Sequence, residues 1–189
     1  AKKILLSLGG SDPNNVTLRV ISALNQIKID DLKIKIIIGP SNPHLPKLEE
    51  LVPKSRHTME LLKNVSNMPD LMIWADMAIS AAGSTCWELA YMGLPSILII
   101  TSENQVMNLE FLKKYGAATY VSNKMNISTN LISEIIIKSI MNKELRNNMS
   151  NKGKLLVDGN GSERVVKTFQ ILNKKAKENN ERENTTVNI

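Results

Sequence analysis

The chain has 189 residues, 42% of them hydrophobic and 22% charged, which is typical of a globular protein with one well-buried domain. Its formal net charge of +6 is spread along predicted helices, and only 4% of its residues are aromatic, so we expect no nucleic-acid partner. A single cysteine, Cys86, excludes an internal disulfide framework, and the lack of a signal peptide or long apolar run predicts a cytoplasmic protein without a membrane span.

Apolar strands alternate with helices along most of the chain. Between the first two strands, helical spacing relates Val16, Val20, Leu24 and Ile27. Runs of β-branched residues such as 33–38 indicate strands that are buried on both faces, as in a parallel sheet covered by helices. This alternation predicts a doubly wound, Rossmann-like α/β fold with a six-stranded parallel sheet. The predicted strands span residues 4–8, 34–38, 58–62, 77–80, 96–100 and 118–121.

Polar residues mark the predicted starts of several helices. Asp12, followed by Pro13, is the expected N-cap of the first helix. Ser102, with Gln105 three residues later, resembles a capping box. Asp70 is expected to cap a short helix that follows it.

The part of the chain after the last predicted strand has a wholly helical pattern. The pattern predicts extra C-terminal helices at 127–141, 143–152 and about 162–174, followed by a polar segment with few apolar residues. We therefore predict one domain at residues 1–175 and a disordered tail at 176–189. Because the chain opens directly on a core strand, we expect a domain of a larger protein.

The loops at the carboxyl ends of the strands are the candidate binding sites, because ligands of doubly wound sheets bind where the strand order reverses. In the first of these loops, Gly9 and Gly10 permit either a plain tight turn or the close approach of a ligand, and both interpretations stay open. A phosphate is not expected at the following helix, because Asp12 places a negative charge at its start.

Residues 80–95, SAAGSTCWELAYMGLP, predict an anion site where a helix begins near Gly83. The start of a helix offers unpaired N–H groups, Ser84 and Thr85 add neutral hydroxyls, and no acid is expected in the first turn, so a diphosphate would fit. Glu88 shares a helix face with Ser84 and could accept two hydrogen bonds from a ribose diol. The alternative is that Ser84, Thr85 and Glu88 form only a local cap.

The remaining polar residues give weaker signals. Asn104 and Gln105 either hydrogen-bond sugar hydroxyls or merely cap a helix. His44 and His57 have no metal-ligand spacing, and Cys86 lies among small apolar residues that suggest the core. We therefore predict no metal site, no cofactor and no catalytic residue in this chain.

Several segments together resemble the C-terminal domain of the GT-B-type nucleotide-sugar proteins, and the resemblance covers residues 3 to about 169. These segments are ILLSLGGSDP, IIIGPSNP, MPDLMIWADMAISAAGSTCWELAYMGLPSILI, ENQ and DGNGSERVV. They are most similar to the UDP-sugar hydrolases of pseudaminic acid biosynthesis and to the related spore-coat polysaccharide proteins. A more distant similarity is to the N-acetylglucosaminyltransferases of peptidoglycan synthesis.

The resemblance implies that the domain binds UDP as part of a substrate or product. It implies diphosphate contacts from Gly83, Ser84 and Thr85, and a ribose contact from Glu88. It also implies that the segment from Val65 to Met68 encloses uracil. Gly9 and Gly10 are implied to bind the nucleotide, with their backbone near the distal phosphate or the sugar. The implied sugar-facing residues are Ser11, Asn104 and Gln105.

In the resembled hydrolases a separate N-terminal domain carries the catalytic histidine, so this chain alone is expected to be inactive. That domain would be joined in cis or supplied by a partner chain in trans. The resemblance favours the nucleotide-binding half of a hydrolase that acts on a UDP-linked amino-deoxy sugar, of the 2,4-diacetamido-2,4,6-trideoxy-altropyranose type, in surface-polysaccharide or flagellin-glycan biosynthesis. The alternatives are a UDP-sugar glycosyltransferase domain and a non-catalytic module that binds nucleotide sugars.

Overall fold

The structure is a computed structural model that describes residues 1–121 and 128–186, without the side chains of 175 and 177–186. The predicted helix start at Ile127 and the last tail residues, 187–189, lie outside the described residues. The chain forms two compact units, Ala1–Val157 and Asp158–Ile189. The boundary predicted after residue 175 lies inside the last helix, and the disorder of the tail stays a prediction.

A six-stranded sheet forms the centre of the first unit, as the sequence predicted. Its strands are β1 (Lys3–Ser7), β2 (Lys33–Ile38), β3 (Thr58–Lys63), β4 (Met77–Ala81), β5 (Ser96–Ile99) and β6 (Thr119–Tyr120). All neighbouring strands pair in parallel in the order β3-β2-β1-β4-β5-β6. The order reverses between β1 and β4, where Ser7 pairs with Ser80.

Five helices connect the strands: α1 (Val16–Gln26), α2 (Leu45–Leu51), α3 (Met68–Trp74), α4 (Thr85–Met92) and α5 (Val106–Lys114). After the last strand, α6 (Thr129–Met141) packs on α1 and α7 (Lys143–Leu156) packs on α4. The second unit contains α8 (Gly161–Thr186). Single 3-10 turns lie at Val52–Lys54 and Glu103–Gln105. Among the described residues, none of these helices is long and apolar enough to cross a membrane.

The hydrophobic core lies on both faces of the central strands, because successive side chains of a strand point to opposite faces. On one face, Ile4 of β1 is buried in the cluster that α1 and α6 cover with Leu24 and Ile136. On the other face, Leu5 is buried with Leu89 of α4. Burial on both sides explains why the strands are near-continuous apolar runs.

The start of α1 differs from the prediction. Asp12 is not the N-cap: α1 begins at Val16, and its N-cap is Asn15, whose φ is 49°. Asp12 is buried, and its two carboxylate oxygens accept hydrogen bonds of 2.8 Å from the N–H groups of Val16 and Thr17. The Asp12 carboxylate therefore stabilises the start of α1 although Asp12 itself lies outside the helix, before the turn that contains Pro13.

Two further capping predictions were wrong. Ser102 makes no side-chain cap and donates instead to Oδ1 of Asn104, while Gln105 accepts from the N–H of Thr101, so the two do not form a capping box. Asn67, and not Asp70, is the N-cap of α3. In both cases a neighbouring polar side chain is the better-placed hydrogen-bond partner.

Candidate functional site

The loops that follow β1 and β4 lie side by side at the carboxyl edge of the sheet. Because Ser7 pairs with Ser80, the chain leaves both strands at the same level. Gly9 has a φ of +89°, a backbone conformation that favours glycine. Gly10 and Ser11 are exposed. The structure thus puts the two glycines of the first loop at the strand-order reversal, where ligands of such sheets bind.

A third loop, which follows β2, supports the first one. A Cβ atom on Gly39 would lie 2.2 Å from the carbonyl oxygen of Gly10, so the two backbones are in direct contact. The N–H of Ser41 donates a hydrogen bond of 3.1 Å to the same carbonyl. The sequence marked this loop as a candidate without assigning it a role, and the signal for that role was the glycine directly after an apolar strand.

Helix α4 begins at Thr85, with Ser84 as its N-cap residue. The side chain of Ser84 is exposed and makes no cap hydrogen bond, so the interpretation of a purely local cap does not hold for this residue. The N–H groups of Cys86 and Trp87 donate to the carbonyls of Gly83 and Ser84. The N–H groups of Ser84 and Thr85 precede these bonds and are the orphan positions of a helix start, which can bind an anion.

Glu88 lies in the first turn of α4, because the helix begins at Thr85 and not near Gly83 as predicted. The expectation of a first turn without an acid was therefore wrong. The Glu88 side chain is exposed and stabilises the positive end of the helix dipole. Its charge offsets part of that dipole, so an anion at this site would depend on hydrogen bonds from N–H groups and hydroxyls.

Two side chains from the segment after β5 lie beside the β4–α4 loop, and one of them, Asn108, is hydrogen-bonded to it. The amide nitrogen of Gln105 lies 3.9 Å from the position of a Cβ atom on Gly83, and its amide oxygen accepts a 2.9 Å hydrogen bond from the N–H of Thr101. Asn108 donates a hydrogen bond of 3.0 Å to the carbonyl of Ala82. The sequence predicted Gln105 but missed Asn108, whose signal was its position one helical turn after Gln105.

The other predicted residues are less closely joined to the site. Asn104 is exposed, and its side chain accepts from Ser102. Val65 is partly exposed and follows β3 at the edge of the sheet, and Met68 begins α3 and packs against the cluster that contains Leu5. Pro69 and Glu88 border one apolar groove of about 300 Å³. Its other lining residues are Met72, Trp87, Tyr91, Met92 and Val157.

Structural roles account for the histidines and the cysteine. The ring Nε2 of His57 lies 2.9 Å from the carbonyl of Leu24, and that of His44 lies 3.1 Å from the carbonyl of Pro13. Burial raises the pKa of the Cys86 thiol to about 11, which keeps it protonated and unreactive at neutral pH. No cluster of three or more His, Cys, Asp or Glu residues that could hold a metal ion occurs within 1–121 and 128–186.

A cavity of about 540 Å³ lies at the opposite edge of the sheet, near the amino ends of the strands. Its charged lining residues include Lys2, Asp76 and Arg146. Arg146 already donates to the carbonyls of Ser139 and Ile140, and Asp76 accepts from the N–H groups of Lys2 and Lys3. These hydrogen bonds satisfy the end of a helix and the start of a strand, so Arg146 and Asp76 have structural roles here.

Comparison with known proteins gives a consistent result. The family model for the glycosyltransferase family 28 C-terminal domain matches residues 4–169. The spore coat polysaccharide biosynthesis protein SpsG of Bacillus subtilis is 27% identical over 172 residues, which are 90% of this chain and 50% of that protein. The UDP-N-acetylglucosamine--N-acetylmuramyl-(pentapeptide) pyrophosphoryl-undecaprenol N-acetylglucosamine transferase of Leuconostoc mesenteroides is 28% identical, over 64% of this chain and 35% of that protein.

The crystal structure of Acinetobacter baumannii MurG has the same fold, with a TM-score of 0.74 at 21% identity. The superposition covers 89% of this chain and 49% of that one. The chain thus spans half or less of the length of each of these proteins.

Proposed function

Because the chain belongs to the family of glycosyltransferase family 28 C-terminal domains, we propose that it is the nucleotide-sugar-binding domain of a GT-B glycosyltransferase. The observation that carries this proposal is the start of α4 beside the strand-order reversal. There, the exposed hydroxyl of Ser84 makes no cap and the Glu88 carboxylate follows one turn later. Hydrogen-bond donors and one carboxylate on a single helix face suit the diphosphate and the ribose of a nucleotide.

We assign the diphosphate to the N–H groups and hydroxyls of Gly83, Ser84 and Thr85. Glu88 accepts hydrogen bonds from the two ribose hydroxyls, since its side chain is exposed on the helix face that Ser84 occupies. The uracil lies against Val65 and Met68 by resemblance. Support for this last assignment comes from the groove that joins Pro69, directly after Met68, to Glu88.

The sugar lies between the β1 loop and the segment after β5. The side chain of Gln105 is fixed by Thr101 next to Gly83. Its amide nitrogen donates one hydrogen to Oγ1 of Thr101 and donates its second hydrogen to a sugar oxygen. Asn104 lies beside it, and Gly9, Gly10 and Ser11 form the facing wall. The bare backbone of the two glycines lets a ligand approach closely.

We further propose that the complete protein transfers the sugar to an acceptor hydroxyl. The hydroxyl oxygen bonds to the anomeric carbon while the bond to the diphosphate breaks, and UDP leaves with the negative charge that the start of α4 stabilises. The catalytic base, which takes the proton of the acceptor hydroxyl, and the acceptor site belong to the rest of the protein, in cis or in a partner chain. The family description and the name of the Leuconostoc relative favour transfer over the hydrolysis, and over the pseudaminic acid substrate, that the sequence resemblance suggested.

Isothermal titration calorimetry of the chain with UDP, GDP, TDP, UMP and uridine tests the proposal. We expect UDP to bind more tightly than GDP and TDP. UMP should bind more weakly than UDP, and uridine should bind weakest because it lacks the phosphates that α4 holds. If none of these nucleotides binds, the proposed nucleotide-sugar function is overturned. Equal affinity for uridine and UDP would contradict the assignment of the diphosphate to α4.

A further inference from the structure

The β1–α1 loop, residues 8–15, has a backbone that needs support. Gly9, Asp12 and Asn15 have positive φ values, of 89°, 40° and 49°. For residues other than glycine this conformation is strained, and it persists only where the surrounding structure holds it. The buried carboxylate of Asp12 holds its own part of the loop by accepting two backbone hydrogen bonds from the start of α1. The part that precedes Asp12 needs a second support.

The loop after β2 supplies this support at two points. The carbonyl of Gly10 accepts a hydrogen bond of 3.1 Å from the N–H of Ser41. The carbonyl of Pro13 lies 3.1 Å from Nε2 of His44. Because a carbonyl oxygen can only accept, Nε2 of His44 carries the proton and donates it. The two bonds lie on either side of Ser11, so they fix the middle of the β1–α1 loop from both ends.

His44 is itself anchored to the core. It is the N-cap residue of α2, and its carbonyl accepts a hydrogen bond of 3.1 Å from the N–H of Leu48, which is fully buried. Its own N–H donates to Oδ1 of Asn42 at 2.8 Å. Any residue could supply the backbone bond of Ser41, but the bond to Pro13 needs the imidazole side chain. The imidazole therefore ties the β1–α1 loop to a helix that the core holds in place.

We propose that His44 is a positioning residue of the nucleotide-sugar site and holds the β1–α1 loop in the shape that receives the sugar. The inference rests on the proposed function, in which Gly9, Gly10 and Ser11 form one wall of the sugar site. Without the His44 bond, the segment between Gly10 and Pro13 samples other conformations, and the ligand binds only to the competent one. If about one tenth of the molecules keep the competent shape, the affinity for the sugar falls about tenfold.

Isothermal titration calorimetry of the full chain with UDP and with UDP-N-acetylglucosamine tests the proposal. We expect the unsubstituted chain to bind UDP-N-acetylglucosamine more tightly than UDP, because the sugar adds contacts with the β1–α1 loop. His44→Phe keeps a ring but removes the N–H donor. It should lower the affinity for UDP-N-acetylglucosamine about tenfold and leave the affinity for UDP unchanged. His44→Gln supplies an amide N–H at a similar reach and should restore most of the lost affinity.

His57 is the matched control, because its Nε2 also donates to a backbone carbonyl, that of Leu24, at 2.9 Å. His57→Phe should leave both affinities unchanged, and an equal loss of sugar affinity in His57→Phe and His44→Phe would overturn the proposal. Equal affinities of the unsubstituted chain for UDP and UDP-N-acetylglucosamine would also overturn it, with the nucleotide site left intact. The absence of UDP binding would instead overturn the proposed function, and this inference with it.

NMR relaxation of the backbone amides measures the loop directly. In the unsubstituted chain, the order parameter of the Ser11 amide should be as high as those of the strand residues. It should fall in His44→Phe and recover in His44→Gln, because only the second variant keeps a donor for the Pro13 carbonyl. An unchanged order parameter of Ser11 in His44→Phe would mean that the imidazole does not position the loop, and would overturn the proposal.

Discussion

A Cβ atom built on Gly39 lies 2.2 Å from the carbonyl oxygen of Gly10, so the loops after β1 and β2 touch through bare backbone. Gly39→Ala is expected to push the Gly10 loop away and to destabilise the fold by about 1–3 kcal/mol, as overpacking does. Urea denaturation followed by circular dichroism measures the change.

Gly10→Ala is the matched control for this contact. A Cβ atom on Gly10 meets nothing within 4 Å, so we expect the stability to change by less than about 0.5 kcal/mol. The added methyl group nevertheless enters the space assigned to the sugar. If both variants lose the same stability, the contact of Gly39 with the Gly10 carbonyl is not the cause of the loss in Gly39→Ala.

Asp12 is expected to contribute strongly to stability although it is not an N-cap. It is buried, and two backbone N–H groups donate to its carboxylate at 2.8 Å. Asp12→Ala leaves both donors without their acceptor and should lower the free energy of unfolding by about 2–3 kcal/mol. The exposed Asp30 serves for comparison, and Asp30→Ala should cost less than about 0.5 kcal/mol. Similar losses in urea denaturation would show that the buried hydrogen bonds of Asp12 are not the cause.

The strands could be predicted from the sequence to within one or two residues. The run predicted at 77–80, for example, is β4 (Met77–Ala81), every residue of which is buried. Burial on both faces leaves a continuous apolar signal that needs no tertiary information. The reversal of strand order, and hence the edge that holds the candidate site, followed from the predicted fold class.

Loop geometry could not be predicted in the same way. The late start of α1 depends on positive φ values at Asp12 and Asn15, which the order of capping residues does not reveal. Asn108 was missed because its hydrogen bond to Ala82 joins residues 26 positions apart. Such contacts exist only after the strands have placed their loops together.

Glu88 is expected to hold the ribose and to contribute little to the stability of the fold. Its side chain is exposed in the first turn of α4, so Glu88→Ala should lower the free energy of unfolding by less than about 1 kcal/mol, through the lost interaction with the helix dipole. The UDP affinity should fall by about 1–2 kcal/mol, or about 5- to 30-fold, because hydrogen bonds to a charged group are lost. Calorimetric titration measures this change, and Glu134→Ala on the exposed face of α6 is the control. Unchanged UDP affinity would mean that Glu88 does not hold the ribose and acts only at the start of α4.

Asp158 is expected to titrate at unusually low pH. Hydrogen bonds from Arg164 at 2.6 and 3.0 Å, with a further one from the N–H of Asn160, lower the pKa of Asp158 from 3.8 to about 2. Because the pKa is lower in the folded chain, the favourable contribution is present above pH 3.8 and is lost as the pH falls through 2.

Carbon-detected NMR of the Asp158 carboxyl group gives the titration midpoint. Arg164→Ala should move it back toward 3.8, whereas Lys167→Ala, which breaks the nearby pair with Glu163, should leave it low. A normal midpoint in the unsubstituted chain would mean that the Asp158–Arg164 pair does not persist in solution.

The pairing of β1 with β4 has a consequence for folding. Leu6 pairs with Ile79, so the centre of the sheet joins strands that are far apart in sequence, with β2 and β3 between them. Contacts of such long range form slowly because a long loop must close first. A nucleotide that touches the loops after both strands would bind only when this closure is complete. We therefore expect a bound nucleotide to stabilise the pairing of β1 with β4, and with it the contact between the two halves of the sheet.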